Sequence, residues 1–125
     1  MSNAVLVVDD AATVRLYYRT VLAGIGCTVD EAWNGLEGLE HALRAPPDLM
    51  LVDVNMPHLD GYGFLRAVRR EPELQAIPAV MISTEGAPAD AAQAFAVGAN
   101  MYVHKPVRPD HLAGLVRLLL GMKPA

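Results

Sequence analysis

Five short apolar runs recur along the chain, and each is followed by a stretch with helical spacing. The runs are AVLVV at 4–8, CTVDEA at 27–32, LMLVDV at 49–54, PAVMIS at 78–83 and MYVH at 101–104. Runs 1, 3 and 4 are apolar on successive residues instead of alternating, as expected of strands covered on both faces. Run 2 carries Asp30 and Glu31, which marks an edge strand. Segment 12–23 places Val14, Tyr17, Tyr18, Val21 and Leu22 on one face and stops at Gly24. Segment 35–44 offers Leu36, Leu39, His41, Ala42 and Leu43 and ends before Pro46-Pro47. Segment 61–70 carries Phe64, Leu65 and Val68, and segment 88–97 carries Phe95 and Val97 before Gly98. Segment 109–120 opens on a proline, favourable in a first helical turn, and carries Leu112, Leu115, Val116, Leu118 and Leu119.

Strand and helix alternating five times predict an α/β domain: a five-stranded parallel doubly wound sheet with helices on both faces. Right-handed crossovers restrict the topology, and five strands favour the flavodoxin-like order 2-1-3-4-5. The 125 residues fall in the range of one domain, and residues 1–125 read as a single unit without an output domain.

Composition narrows the function classes. With 53% hydrophobic and 19% charged residues, disorder is excluded. A net charge of −4 argues against duplex nucleic acid as a partner. No run reaches the roughly 18 to 20 apolar residues of a membrane span. The start has no basic leader, so a cytoplasmic location is expected, with a monomer as the default. The lone Cys27 reads as a small core residue and not a redox site. Trp33 is expected to pack on the second helix. Arg66, Arg69 and Arg70 read as a solvated basic edge. The histidines at 41, 58, 104 and 111 share no ligand spacing.

In a doubly wound sheet, ligands bind beyond the carboxyl ends of the strands, at the switch point between strands 1 and 3. The unusual polar residues fall there. Strand 1 ends in Asp9-Asp10, strand 3 in Asp53, strand 4 in Ser83-Thr84 and strand 5 in His104-Lys105-Pro106. Each alone has an ordinary reading as a helix cap or turn residue. All four at the ends of neighbouring strands do not. Three carboxylates at one point repel, unless a hard cation such as Mg²⁺ or Mn²⁺ joins them. Three acids, a dication and Lys105 together carry no formal charge. Such a set suits phosphoryl transfer, where positioning and charge neutralisation dominate. A carboxylate nucleophile there would form an acyl phosphate.

The segments VVDD at 7–10, LVDVNMPHLDG at 51–61, PAVMIST at 78–84 and GANMYVHKP at 98–106 resemble, in order and spacing, the receiver domain of two-component response regulators. Within that family the chain is similar to single-domain, chemotaxis-type regulators. The resemblance implies that Asp53 is the phospho-acceptor. It implies that Asp10, Asp53 and the backbone carbonyl of Asn55 ligate Mg²⁺, with Asp9 acting through water. Ser83 would hydrogen-bond the phosphoryl group, Lys105 would pair with its oxygens, and Tyr102 would turn inward as the switch aromatic. The Lys105-Pro106 bond would be cis. A histidine kinase would dock near helix 1 as donor. A downstream protein would read the strand 4–helix 4–strand 5 face, which carries Tyr102, His104 and Glu85. Catalysis would be confined to the chain's own phosphorylation and dephosphorylation, so it is not read as an enzyme. Asn55 and Glu85, two residues past Asp53 and Ser83, would orient an attacking water and keep the phosphoryl group short-lived.

Two positions depart from the pattern. Thr84 stands where many relatives have Ala or Gly and would narrow access for small phosphodonors. Val107 replaces a frequent Phe, which would alter packing more than chemistry. Other readings stay open. One is a docking module of the same fold that works without phosphorylation. Another is an intermediate carrier in a phosphorelay. An aspartate-nucleophile phosphatase would want an acid where Asn55 stands. A flavin module would need a phosphate-cradling loop where Asp9-Asp10 would repel phosphate.

Overall fold

The computed structural model describes residues 3–123. Five strands alternate with five helices: β1 Ala4–Val8, α1 Ala12–Ala23, β2 Thr28–Ala32, α2 Gly35–Arg44, β3 Leu49–Asp53, α3 Gly61–Arg70, β4 Ala79–Ser83, α4 Pro88–Ala96, β5 Met101–His104 and α5 Pro109–Leu120. The sheet order is β2-β1-β3-β4-β5, with every neighbour parallel. This is the flavodoxin-like topology expected from the alternation. Val8 pairs with Val52, Asp53 with Ile82 and Ser83 with His104, so four strand ends reach a common level.

The unbroken apolar runs are explained by a core on each side of the sheet. Val5, Val7, Leu49, Leu51, Val80 and Ile82 face Tyr18 and Leu22 of α1 and Leu112, Leu115 and Val116 of α5. The alternate residues Leu6, Val8, Met50, Val52 and Met81 face Phe64, Leu65 and Val68 of α3, with Ala42 and Ala94 from α2 and α4. Each fully buried large side chain contributes roughly 1.5–3 kcal/mol of transfer free energy, which holds the central strands and the acid-bearing ends they carry. Cys27 lies buried beside the α1 core, as expected. No helix among the described residues is long and apolar enough to cross a membrane.

Several placements differ from those read in the sequence. Leu36 (57% exposed) and Leu43 face outward. The buried line of α2 is instead Gly35, Gly38 and Ala42, and a Cβ on Gly38 would lie 3.0 Å from Phe64 and Val8. Close approach of the helix selects small residues for the tightest contact; Leu39 packs at the edge of the core, while Leu36 and Leu43 stay outside. Trp33 is 57% exposed and so does not bury itself on α2. Phe95 and Leu118 are also exposed, because α4 buries Ala94, and α5 buries Leu112, Leu115 and Val116.

Arg69 is the clearest correction. Its guanidinium is half-buried and turned onto the protein instead of into solvent. It donates to the carbonyls of Leu74, Gln75, Ile77 and Gly98 and to Asn100 Oδ1. Charge alone suggested solvent. The last turn of α3 instead aims this side chain at loop carbonyls that no helix or ladder satisfies.

Candidate functional site

The site begins where β1 stops. The Asp9 amide extends the ladder by donating to the Ala32 carbonyl, and the Asp9 carboxylate turns back on the chain. Its Oδ1 accepts the Ala11 amide at 2.9 Å, helping to seat a helix whose N-cap, Ala11, offers no side chain. Its Oδ2 accepts Lys105 Nζ at 3.1 Å. Asp9 is therefore buried, while Asp10 stands exposed on the rim.

Asp53 ends β3, and its Oδ1 accepts the same Lys105 Nζ at 3.0 Å. Gly61 sits against this strand end. Its amide donates to the Val54 carbonyl at 2.8 Å, and a Cβ there would fall 2.3 Å from the Asp53 carbonyl oxygen. A glycine opens α3 because any side chain would push on the acid's own backbone.

Ser83, fully buried, ends β4. Its Oγ accepts the Glu85 amide at 3.0 Å, which leaves the hydroxyl proton for another acceptor. The Lys105 amide donates to the Ser83 carbonyl at 2.7 Å, tying β5's exit to β4. The Lys105-Pro106 bond is cis, in line with the resemblance. Tyr102 is half-buried, and its hydroxyl donates to the Glu85 carbonyl.

One carboxylate oxygen from each of Asp9, Asp10 and Asp53 can be chosen so that all three lie within 4.8 Å of one another. These are hard oxygen donors, which suits Mg²⁺ and not a soft metal. The acid cluster could bind such an ion, as in receiver domains. The electrostatics match. Burial and the Asp9 charge push the Asp53 carboxyl above its ordinary pKa, although Lys105 pulls the other way. Burial would lower Lys105, but the hydrogen bond to Asp53 and the charges of Asp9 and Asp53 prevail and raise it. Tyr18 is pushed up by burial and then by the same two acids, which places its ring within their field.

The strand ends thus bring Asp9, Asp10, Asp53, Ser83 and Lys105 to one rim. Asn55 and Glu85 are exposed beside it, and neither side chain hydrogen-bonds to Asp53, Ser83 or Lys105 among the described residues. Thr84 is exposed next to Ser83. Two features escaped the sequence reading. A cavity of about 410 Å³ abuts Lys105, lined by Val14, Tyr17, Tyr18, Pro106 and Val107. Its one signal was Val107, smaller than the frequent Phe. Arg15 reaches the site from α1, and its Nη1 donates to the Asp9 carbonyl at 2.7 Å. Two arginines one helical turn apart, soon after Asp9-Asp10 and facing a strand with Glu31, were the signal there.

A parallel five-stranded sheet with three acids and a lysine at its switch point is the arrangement of a receiver-type signalling switch. The model of the response regulator receiver domain matches residues 5–117, and the chain belongs to that family. It is 31% identical to Protein PilG of Pseudomonas aeruginosa over 113 residues, 90% of this chain and 84% of PilG. It is 36% identical over 116 residues to the probable transcriptional regulator ycf27 of Guillardia theta, covering 93% of this chain but 44% of that relative. The chain therefore spans about half or less of some relatives it matches. The structure of the chemotaxis protein CheY4 of Vibrio cholerae superposes with a TM-score of 0.90 at 33% identity, over 95% of this chain and 99% of that one.

Proposed function

We propose that Asp53 accepts a phosphoryl group from a phosphohistidine on a partner kinase and so controls a downstream protein. The observation that carries this reading is Lys105 Nζ bridging Asp9 and Asp53, at 3.1 and 3.0 Å, in a cluster of three acids. Lys105 engages Asp53 Oδ1, which leaves Oδ2 as the attacking oxygen. An O–P bond forms at Oδ2 and the P–N bond of the phosphohistidine breaks. The leaving imidazole nitrogen takes up a proton. Asp10, Asp53 and the Asn55 carbonyl would hold Mg²⁺ (or Mn²⁺), with Asp9 acting through water. Bound there, the ion neutralises charge that develops on the phosphoryl oxygens.

Lys105 would then shift from the carboxylates to the phosphoryl oxygens. The Ser83 hydroxyl proton would find its acceptor on the same group. A move of Ser83 disturbs the Glu85 amide bonded to it, and Glu85 holds Tyr102 through its carbonyl. This chain of contacts would carry the change to the β4–α4–β5 face, a two-state element biased by local charge. Asn55 and Glu85 would orient the water that later hydrolyses the acyl phosphate.

The test is incubation with acetyl phosphate and Mg²⁺ followed by intact mass measurement. A gain of one phosphoryl group, lost in Asp53→Ala and in EDTA, is the expected result. No gain, or a gain that persists in Asp53→Ala, overturns the reading.

A further inference from the structure

Arg15 has more to do than an ion pair requires. It sits in α1 with its side chain 14% exposed. Its Nε donates to Glu31 Oε1 at 2.9 Å, and its Nη1 donates to the Asp9 carbonyl at 2.7 Å. Glu31 is itself immobilised. Its Oε2 takes both Nε and Nη2 of Arg19, at 2.8 and 2.6 Å. Burial would raise the Glu31 carboxyl, yet the two arginines outweigh it and keep the group ionised. The edge strand thus presents a fixed anion that orients Arg15, and Arg15 hands the constraint to the backbone of the acid loop.

A simple helix-to-edge salt bridge would be the alternative role for Arg15. Arg19 and Glu31 alone would meet that need. It does not account for Nη1 on a carbonyl belonging to the acid cluster. Nor does it account for the burial of Arg15, since a surface pair contributes little and stays solvated. The Asp9 carbonyl is half of the peptide that joins Asp9 to Asp10. Holding it sets the plane of that peptide, and with it the direction in which Asp10 leaves the backbone relative to Asp9. The second anchor of the loop, the Ala11 amide on Asp9 Oδ1, fixes the Asp9 side chain but not this peptide.

We infer that Arg15 is a positioning residue for the divalent-cation site. It holds the Asp9–Asp10 peptide through the Asp9 carbonyl and is itself oriented by Glu31. The inference rests on the proposed function, because it presumes that the acid cluster takes up the ion. Outer residues that orient ligands typically cost about 10–100-fold in metal affinity when lost. One backbone carbonyl held by one guanidinium belongs at the low end, about tenfold. Geometry and charge are separable here. A lysine keeps the charge but is a single point donor and cannot span Glu31 and the Asp9 carbonyl as the planar fork does.

The experiment compares the parent chain with Arg15→Met, Arg15→Lys and Glu31→Gln. Mg²⁺ is titrated while amide NMR shifts of residues 9–11 are followed, and hydrogen exchange of the Asp10 and Ala11 amides is measured without metal. Arg15→Met is expected to bind Mg²⁺ about tenfold more weakly and to exchange faster at these amides. Arg15→Lys should resemble Arg15→Met more than the parent, and Glu31→Gln should fall between. Phosphorylation by acetyl phosphate should need about tenfold more Mg²⁺ for half its maximal extent in Arg15→Met and recover as Mg²⁺ is raised, which a general loss of structure would not allow. If Arg15→Met does not fold, Arg15→Lys and Glu31→Gln carry the comparison. Parent-like Mg²⁺ affinity in Arg15→Met, or full rescue by lysine, overturns the inference and leaves the proposed function standing. A parent chain that takes up no Mg²⁺ overturns both.

Discussion

Replacing Asp53 by Asn should make the metal-free protein more stable, although it removes the proposed acceptor. Carboxylate oxygens of Asp53, Asp9 and Asp10 can all lie within 4.8 Å of one another. At an effective dielectric near 20, each like-charge pair at that separation costs about 3.5 kcal/mol. Lys105 at 3.0 Å returns about 5.5 kcal/mol on the same scale. Asp10 is exposed, so its repulsion is screened, and Lys105 is shared with Asp9. Attraction and repulsion nearly cancel, which leaves the desolvation of Asp53 uncompensated. Its carboxyl is accordingly held above the ordinary 3.8. Asparagine keeps the shape and an acceptor for Lys105 without the charge, and the gain should be on the order of 1 kcal/mol.

The pH dependence follows in sign. With a raised folded pKa, the native state binds more protons than the unfolded chain between the two values. Parent stability therefore falls as pH rises from the ordinary carboxylate range through the folded value. Asp53→Asn lacks that loss, so its advantage should be absent well below the window and full above it. Saturating Mg²⁺ should reverse the order. A ligand at 100 times its Kd adds about 2.7 kcal/mol to the state that binds it, and the variant lacks one of the proposed ligands of the ion. The assay is urea unfolding of both proteins from pH 3 to 8, in EDTA and in Mg²⁺. An Asp53→Asn protein no more stable than the parent at pH 7.5 in EDTA refutes the charge balance described above.

Three further outcomes test other parts of the structure. Gly61→Ala should destabilise the fold by about 1–3 kcal/mol, the range for overpacking. It should also slow labelling by acetyl phosphate, because the Cβ pushes on the Asp53 carbonyl; a parent-like labelling rate refutes the coupling. Arg69→Met strips the donor from carbonyls on both sides of β4 and should cost about 2–4 kcal/mol in urea unfolding. Little change would mean that water replaces the guanidinium. Lys105→Met removes the cation that opposes burial and the Asp9 charge. The Asp53 carboxyl should then titrate at higher pH by NMR, and a downward shift would contradict the assigned causes.

The gap between sequence and structure is informative residue by residue. The apolar runs and helical spacings located all ten elements to within a residue or so at each end, because burial on both faces of a sheet leaves a pattern that local chemistry carries. Asp9, Asp10, Asp53, Ser83 and Lys105 were legible because a parallel sheet aligns its carboxyl ends, so residues far apart in sequence share one rim. Leu36 and Phe95 were misplaced because periodicity marks a face without saying what lies opposite it, and Trp33 because its position just before α2 does not say whether the helix offers it a groove. Arg69 was misread because charge suggests solvent, while its acceptors are backbone carbonyls, which every residue has and no sequence distinguishes.

By itself the sequence determined the order of elements and the acids that the strand ends present, and it favoured one strand order, since alternation and chirality restrict the topology. Tertiary structure alone decided the division of labour among them. It buried Asp9 and left Asp10 on the rim, joined Asp9 and Asp53 through one ammonium, and routed Glu31 through Arg15 to the Asp9 carbonyl. These are distances between side chains and backbone atoms on different elements, and they arise once the helices dock on the sheet.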